Sequence, residues 1–145
     1  MKFSIWASME RPWAEIKTLA SAIEADGWDG LWYADHYMPN TEDGLPASGD
    51  VHECYAMLAA LAATTSRIRL GSLVTPTTMN HPALIANRAA TIDRISNGRF
   101  VLGMGAGWQV NEHKALESIS SNQVRALIVS LKPSKSCRAC CQKIA

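Results

Sequence analysis

Two adjacent titratable residues, Asp35 and His36, directly follow an apolar run at positions 30–34. The imidazole of a histidine exchanges a proton near neutral pH, and a neighbouring carboxylate can contact a bound cofactor. The pair could therefore carry out proton transfer beside a cofactor. From position alone, a helix-capping aspartate and a surface histidine explain the pair equally well.

A second group of candidate residues surrounds a glycine-rich turn, RFVLGMGAGW at 99–108. Alternate glycines let a backbone approach a ligand closely, although any tight turn between a strand and a helix also uses glycine. The spacing G-x-G-x-G differs from the G-x-G-x-x-G of dinucleotide-binding proteins. Asn111 could bind a polar cofactor tail, cap the next helix, or do both. Thr75 could offer a hydroxyl to a cofactor, but an ordinary strand residue before a proline is the simpler interpretation.

Histidine and cysteine do not occur at the spacings of known metal-binding motifs. The four histidines are far apart in the sequence, and none forms a pair like that of H-E-x-x-H. The C-x-x-C at 137–140 has no second pair of ligands to complete a zinc ribbon. The sequence therefore predicts no metal site, and a metal-dependent barrel hydrolase is the weaker alternative function.

The elements that would position these residues alternate between strand and helix. Apolar runs and helical periodicity predict them in this order: strand 2–7, helix 13–25, strand 30–34, helix 51–64, strand 67–75, a helix from His81-Pro82 to an Asn97-Gly98 cap, and strand 99–102. Each unit takes about 30 residues, as in right-handed βαβ repeats. Four such units predict an α/β protein, either half of an eight-fold barrel or a small doubly wound sheet.

The composition is that of an ordinary globular chain, with 48% hydrophobic residues, 19% charged residues and a formal net charge of +1 in 145 residues. This balance argues against a nucleic-acid or anionic-membrane partner. The longest wholly apolar run, 56–63, is too short to span a bilayer, and the first residues lack a signal-peptide layout. The cysteines do not form a secreted disulfide framework, so a cytoplasmic location is expected.

Four segments, in this order, resemble the luciferase-like monooxygenase superfamily, and the likeness is closest to the branch that uses the deazaflavin coenzyme F420. They are GLWYADH at 30–36, RIRLGSLVTP at 67–76, His81-Pro82 followed by AATIDRISNGR at 89–99, and LGMGAGW at 102–108 with NEH at 111–113. Four ordered motifs over residues 1–115 are more specific than any single match.

The resemblance implies the N-terminal half, about four βα units, of a luciferase-like TIM (β/α)₈ barrel. It also implies an oxidoreductase that transfers a hydride between reduced coenzyme F420, or alternatively FMN, and a small organic substrate. His36 matches a proton-donating histidine in a sugar-phosphate dehydrogenase of the family, but Trp108 stands where that enzyme has a catalytic glutamate. The peptide Ser72–Leu73 matches a bond that is often cis in deazaflavin members. The positions that match cofactor contacts are Asp35, Ser72, Leu73, Thr75, Ala106, Gly107 and Asn111.

Residues 116–145 form a divergent tail that contains no aromatic residue. Family members usually continue with a sequence like Phe-Gly-Ile-Asp-Phe. Removing the third base from TTC GGA ATC GAT TTC C gives TTG GAA TCG ATT TCC, which encodes the residues seen at 116–120. A single-base deletion near codon 116 would explain the tail, and a genuine short protein is the rival view. Weak or absent activity is expected of such a fragment. The alternative function is a non-catalytic half-barrel module that self-associates, for example as a homodimer.

Overall fold

Strands and helices alternate along the chain in the computed structural model, which describes residues 1–39 and 49–116. The predicted tail beyond residue 116 lies outside these residues. The elements are β1 (Ser4–Ala7), α1 (Trp13–Ala25), β2 (Gly30–Tyr33), α2 (Cys54–Thr64), β3 (Arg69–Ser72), β4 (Thr75–Pro76), α3 (Pro82–Ser96), β5 (Phe100–Val101), β6 (Met104–Gly105) and α4 (Val110–Ala115).

The main sheet has four parallel strands in the order β1-β2-β3-β5. In its register Ile5 pairs with Leu31, Leu31 with Leu70, and Leu70 with Phe100. β4 and β6 form a second, two-stranded parallel sheet. The order follows the chain without the reversal that a doubly wound sheet requires, so the arrangement is that of half a barrel.

The hydrophobic core lies between one face of the main sheet and the helices. Leu31 and Leu70 are fully buried there against Ile16 of α1, Leu58 of α2 and the other members of one apolar cluster. Each such side chain contributes about 1.5–3 kcal/mol when it is fully buried. Trp6 on β1 alternates to the opposite face of the sheet and is 60% exposed. The core therefore fixes the strands from the helical side and leaves the other face open.

The third predicted strand is not continuous. β3 ends at Ser72, a cis peptide bond follows at Leu73–Val74, and the chain resumes as β4. The expected cis bond at Ser72–Leu73 is therefore wrong by one residue. The reason is that the ladder persists to this point, since the Leu73 N–H still donates to the Tyr33 carbonyl at 2.8 Å. The fourth predicted strand, 99–102, is observed as the shorter β5, and β6 follows it inside the predicted glycine-rich turn.

The helix ends agree closely with the sequence prediction, apart from two starting points. Asn97 ends α3 in the left-handed conformation with φ of 57°, as the Asn-Gly cap predicts. α2 begins at Cys54 rather than residue 51, because the Glu53 side chain accepts the Ala56 N–H at 2.6 Å and caps the helix there. α4 begins at Val110 with Gln109 as N-cap, so the interpretation of Asn111 as the cap is wrong.

Candidate functional site

An open cavity of about 410 Å³ lies beyond the carboxyl ends of the strands. The loop after β2 forms one wall, the segment joining β3 to β4 forms a second, and the turn from β6 into α4 forms a third. Its lining residues are Trp6, Asp35, His36, Leu73, Val74, Pro76, Gly105, Ala106, Gly107, Trp108 and Glu112. The carboxyl ends of parallel strands are where barrel proteins place their ligands.

Five of the eight residues singled out in the sequence meet in this cavity. They are Asp35, His36, Leu73, Ala106 and Gly107. Leu73 presents an apolar side chain that is 42% exposed, whereas Asp35 is only 3% exposed. The cavity thus combines an apolar wall with two titratable groups.

Asp35 carries a buried carboxyl group with one unpartnered oxygen. Its Oδ2 atom has no hydrogen-bond partner within residues 1–39 and 49–116. Burial raises the pKa of Asp35 to about 6, and the hydrogen bond from Thr75 opposes that rise. A carboxyl group with this pKa exists in both protonation states near neutral pH, so it can accept or donate a hydrogen bond toward a ligand.

Thr75 is fully buried and lies behind Asp35 rather than in the cavity wall. Its Oγ1 atom lies 2.7 Å from the Tyr55 hydroxyl. The Thr75 hydroxyl has one proton to donate. If it donates that proton to Asp35, the Tyr55 hydroxyl must be the donor in the bond between Tyr55 and Thr75. Arg88 stacks over the Tyr55 ring at 5.3 Å and adds a positive charge to this chain of contacts.

His36 contacts both a carboxylate and an aromatic ring. Its Nδ1 atom lies 3.1 and 3.2 Å from the two carboxylate oxygens of Glu112. The Trp108 ring meets the imidazole edge to face, with 5.7 Å between the ring centroids. These contacts leave the ring little freedom to turn, and they fix which nitrogen faces the carboxylate.

Glu112 is a functional candidate that the sequence prediction missed. Its side chain is 2% exposed, and its Oε1 atom also accepts the backbone N–H groups of Tyr37 at 2.6 Å and Met38 at 3.2 Å. The sequence motif NEH contains Glu112, but the partners lie about 75 residues earlier in the chain. Nothing in the local spacing signals this contact.

Ser72 and Asn111 stand behind the cavity wall. The Ser72 hydroxyl donates to the Gly103 carbonyl at 2.9 Å and accepts the Gly103 N–H at 3.1 Å, so its hydrogen bonds are used within the sheet. The Asn111 Oδ1 atom accepts the Glu112 N–H at 3.1 Å. Its Nδ2 atom is buried and has no partner in the described part of the chain.

The glycines of the turn are required by the packing of the chain itself. A Cβ atom at Gly103 would lie 2.2 Å from the Ser72 carbonyl oxygen, and one at Gly105 would lie 2.7 Å from Val74 Cγ2. Gly107 has a φ of +79°, which L side chains rarely adopt. The close approach of this turn to the segment from Ser72 to Val74 thus accounts for Gly103 and Gly105 without a ligand.

The described residues hold neither a metal-binding cluster nor a membrane-spanning helix. Residues 1–39 and 49–116 contain no cluster of three or more histidine, cysteine, aspartate or glutamate side chains placed to hold a metal ion. No helix in the same ranges is long and apolar enough to cross a membrane.

Comparison with known proteins identifies the family. The family model described as luciferase-like monooxygenase matches residues 1–120. This chain belongs to the luciferase-like monooxygenase family. It is 39% identical over 99 residues to an F420-dependent glucose-6-phosphate dehydrogenase of Amycolatopsis mediterranei, covering 68% of the chain and 28% of that relative. It is 36% identical over 110 residues to the 5,10-methylenetetrahydromethanopterin reductase of Archaeoglobus fulgidus, covering 76% of the chain and 30% of that enzyme.

A solved relative of this luciferase-like chain supports the same architecture. An F420-dependent secondary alcohol dehydrogenase, determined with an F420–acetone adduct, superposes with a TM-score of 0.72 at 25% identity, covering 86% of the chain and 37% of the dehydrogenase. The chain thus spans less than two fifths of these relatives. The prediction of an α/β fold that forms the N-terminal half of a luciferase-like TIM barrel is confirmed.

Proposed function

We propose that this chain carries the cofactor face of a deazaflavin-dependent oxidoreductase. In this proposal coenzyme F420 binds in the cavity between Asp35 and Leu73, with FMN as the alternative cofactor, and a small organic molecule is the substrate. Support comes from relatives whose names state F420 dependence, and from the titratable and apolar groups that line the cavity. The enzyme-like part is residues 1–115, and residues 116–145 are a divergent tail.

The residues of the cavity fit a flavin-type ring. Such a ring has flat apolar faces and a polar edge with N–H and carbonyl groups. Leu73, Val74 and Pro76 provide an apolar wall, and the unpartnered Asp35 Oδ2 atom provides a buried polar group beside it. A buried polar atom without a partner costs free energy, and a ligand that satisfies it recovers part of that cost.

When bound, the reduced deazaflavin would supply a hydride. Asp35 would orient a polar edge of the cofactor, and Thr75 and Tyr55 would hold the Asp35 carboxyl group in place. His36 would exchange a proton with the substrate, because its ring lies in the cavity wall and an imidazole can both accept and donate a proton. Trp108 would give the substrate an aromatic neighbour.

The convergence of Asp35, His36 and Leu73 on one cavity is the observation that carries the proposal. Its test is a titration of the full chain with oxidised F420, followed by the fluorescence of the cofactor, and a parallel titration with FMN. We expect saturable binding of F420 that is tighter than the binding of FMN. Failure of both cofactors to bind would overturn the proposal. Tighter binding of FMN than of F420 would show that FMN, not F420, is the cofactor.

A pair of matched variants locates the binding site. Leu73→Glu places a charge in the cavity wall, whereas Leu84→Glu makes the same change on α3, at a residue 53% exposed and outside the cavity. We expect Leu73→Glu to weaken F420 binding at least tenfold and Leu84→Glu to leave it unchanged. Because the chain spans 28–30% of its named relatives, turnover by the chain alone is expected to be weak. Robust turnover with reduced F420 would contradict that expectation.

A non-catalytic module that self-associates is the second candidate function. It is favoured by the open face that carries Trp6 and by the position of β1 and β5 at the two edges of the main sheet, since unpaired strand edges invite association. Light scattering of the full chain separates the candidates. A discrete dimer that binds no cofactor would support the module, and a polydisperse aggregate would support an enzyme fragment.

A further inference from the structure

The Glu112 carboxylate is the buried centre of a contact between two loops. It belongs to α4, and every hydrogen bond it accepts from the opposite side comes from consecutive residues after β2, namely His36, Tyr37 and Met38. The side chain is 2% exposed, so water does not compete for these bonds. A buried carboxylate with three donors is strongly oriented.

The geometry restricts where His36 can carry its proton. A carboxylate is an acceptor only, and both of its oxygens lie within 3.2 Å of the His36 Nδ1 atom. The Nδ1 atom must therefore be the N–H side of the neutral ring. In the described part of the chain no hydrogen bond reaches Nε2, so the lone pair of that atom is not used by those residues, and the His36 side chain lines the cavity.

We propose that Glu112 is a positioning residue that fixes the Nδ1–H tautomer of His36 and presents Nε2 as the atom that exchanges a proton. The catalytic meaning of this arrangement rests on the proposed function, but the tautomer itself does not. Glu112 also accepts hydrogen bonds from the backbone N–H groups of Tyr37 and Met38. One carboxylate therefore fixes both the loop after β2 and the His36 ring.

A purely structural role for Glu112 makes a different prediction. If Glu112 only held the loop after β2, its hydrogen bonds from the Tyr37 and Met38 N–H groups would be enough for that role. The His36 tautomer would then not depend on the charge of the Glu112 side chain. Glu112→Gln separates the two roles, because the amide oxygen of glutamine can still accept hydrogen bonds from the Tyr37 and Met38 N–H groups. The amide nitrogen then replaces Oε2, which lies 3.1 Å from Nδ1, and offers a donor to that atom.

The experiment is a long-range ¹H–¹⁵N correlation spectrum of the full chain with ¹⁵N-labelled histidine, recorded without cofactor at a pH where the imidazoles are neutral. Comparison with His36→Gln assigns the signals. We expect the wild-type His36 to carry its proton on Nδ1 and the Glu112→Gln variant to carry it mainly on Nε2. Glu15→Gln, the same change at an exposed carboxylate on α1, should leave the His36 signals unchanged.

Two results would overturn the proposal. One is an Nε2–H tautomer in the wild-type chain, which decides the matter even if Glu112→Gln does not fold. The other is an unchanged tautomer in a folded Glu112→Gln variant, checked by circular dichroism. Failure of F420 to bind would overturn the proposed function and leave the tautomer result standing, so the two failures are distinguishable.

Discussion

The Tyr55 hydroxyl and the Thr75 Oγ1 atom lie 2.7 Å apart, directly behind the Asp35 carboxyl group. This contact joins α2 to β4 and gives Asp35 a hydrogen-bonded support on the side away from the cavity. Burial and the Thr75 hydroxyl act in opposite directions on the carboxyl group, and burial is the stronger. The protonation state of Asp35 is therefore set by these neighbours.

Replacing Thr75 with valine should raise the pKa of Asp35 further. The substitution keeps the shape of the side chain and removes the hydrogen bond that stabilises the charged carboxylate. The measurement is the pH titration of the Asp35 carboxyl carbon by NMR. Thr65→Val, the same change at a buried threonine that donates to the Leu61 carbonyl, is the control and should not move the Asp35 midpoint. An unchanged midpoint in Thr75→Val would contradict the assigned contact.

The raised pKa of Asp35 also predicts how stability depends on pH. The folded chain holds the Asp35 proton with a pKa of about 6, compared with 3.8 for the ordinary group. Since the folded state then binds more protons between these values, this carboxyl group lowers the free energy of unfolding as pH rises from about 4 to about 6. The loss should approach about 3 kcal/mol and then remain constant.

Asp35→Asn tests this dependence, because an amide does not titrate. The free energy of unfolding of both chains is measured by urea titration at each pH. We expect the variant to gain stability relative to the wild-type chain as pH rises from about 4 to about 8. A difference in the free energy of unfolding that stays constant over this range would show that the Asp35 pKa is ordinary.

The close approach of Gly103 to Ser72 predicts a large effect of adding one methyl group. Gly103→Ala would place a Cβ atom 2.2 Å from the Ser72 carbonyl oxygen and should destabilise the fold by about 3 kcal/mol or more. Gly98→Ala is the control, because a Cβ there meets nothing within 4 Å and costs only the left-handed backbone conformation, about 1 kcal/mol. Urea unfolding measures both, and equal effects would contradict the described packing.

The divergent tail makes a prediction at the level of DNA. If a single-base deletion near codon 116 produced residues 116–145, an independent reading of the locus should show a shifted frame that continues into further βα units. An intact present frame, together with a peptide mass that spans Leu116 to Lys132, would support a genuine short protein instead.

Local patterns in the sequence were enough to predict the order of the main strands and helices. The apolar spacing of Ile16, Ala20 and Ile23 gave α1 its observed limits, because helical periodicity and the stop at Gly27 are properties of neighbouring residues. The positions of Asp35 and His36 followed from the rule that strands of one sheet end at the same edge. These features need no knowledge of distant contacts.

Distant contacts account for what the sequence could not predict. The split of the third strand at Leu73–Val74 depends on how β4 packs against β6. The role of Glu112 depends on a bond to His36 across 76 positions of the chain. One sequence does not reveal which residues so far apart will meet.

Contact between the bound cofactor and Asp35 can be measured directly. The carboxyl carbons of the full chain would be followed by NMR during a titration with oxidised F420, at a pH near the Asp35 midpoint of about 6. We expect the Asp35 signal and its midpoint to shift as F420 saturates the chain, while the signal of exposed Asp26 at the end of α1 stays unchanged. Binding of F420 with an unperturbed Asp35 would contradict the proposed site.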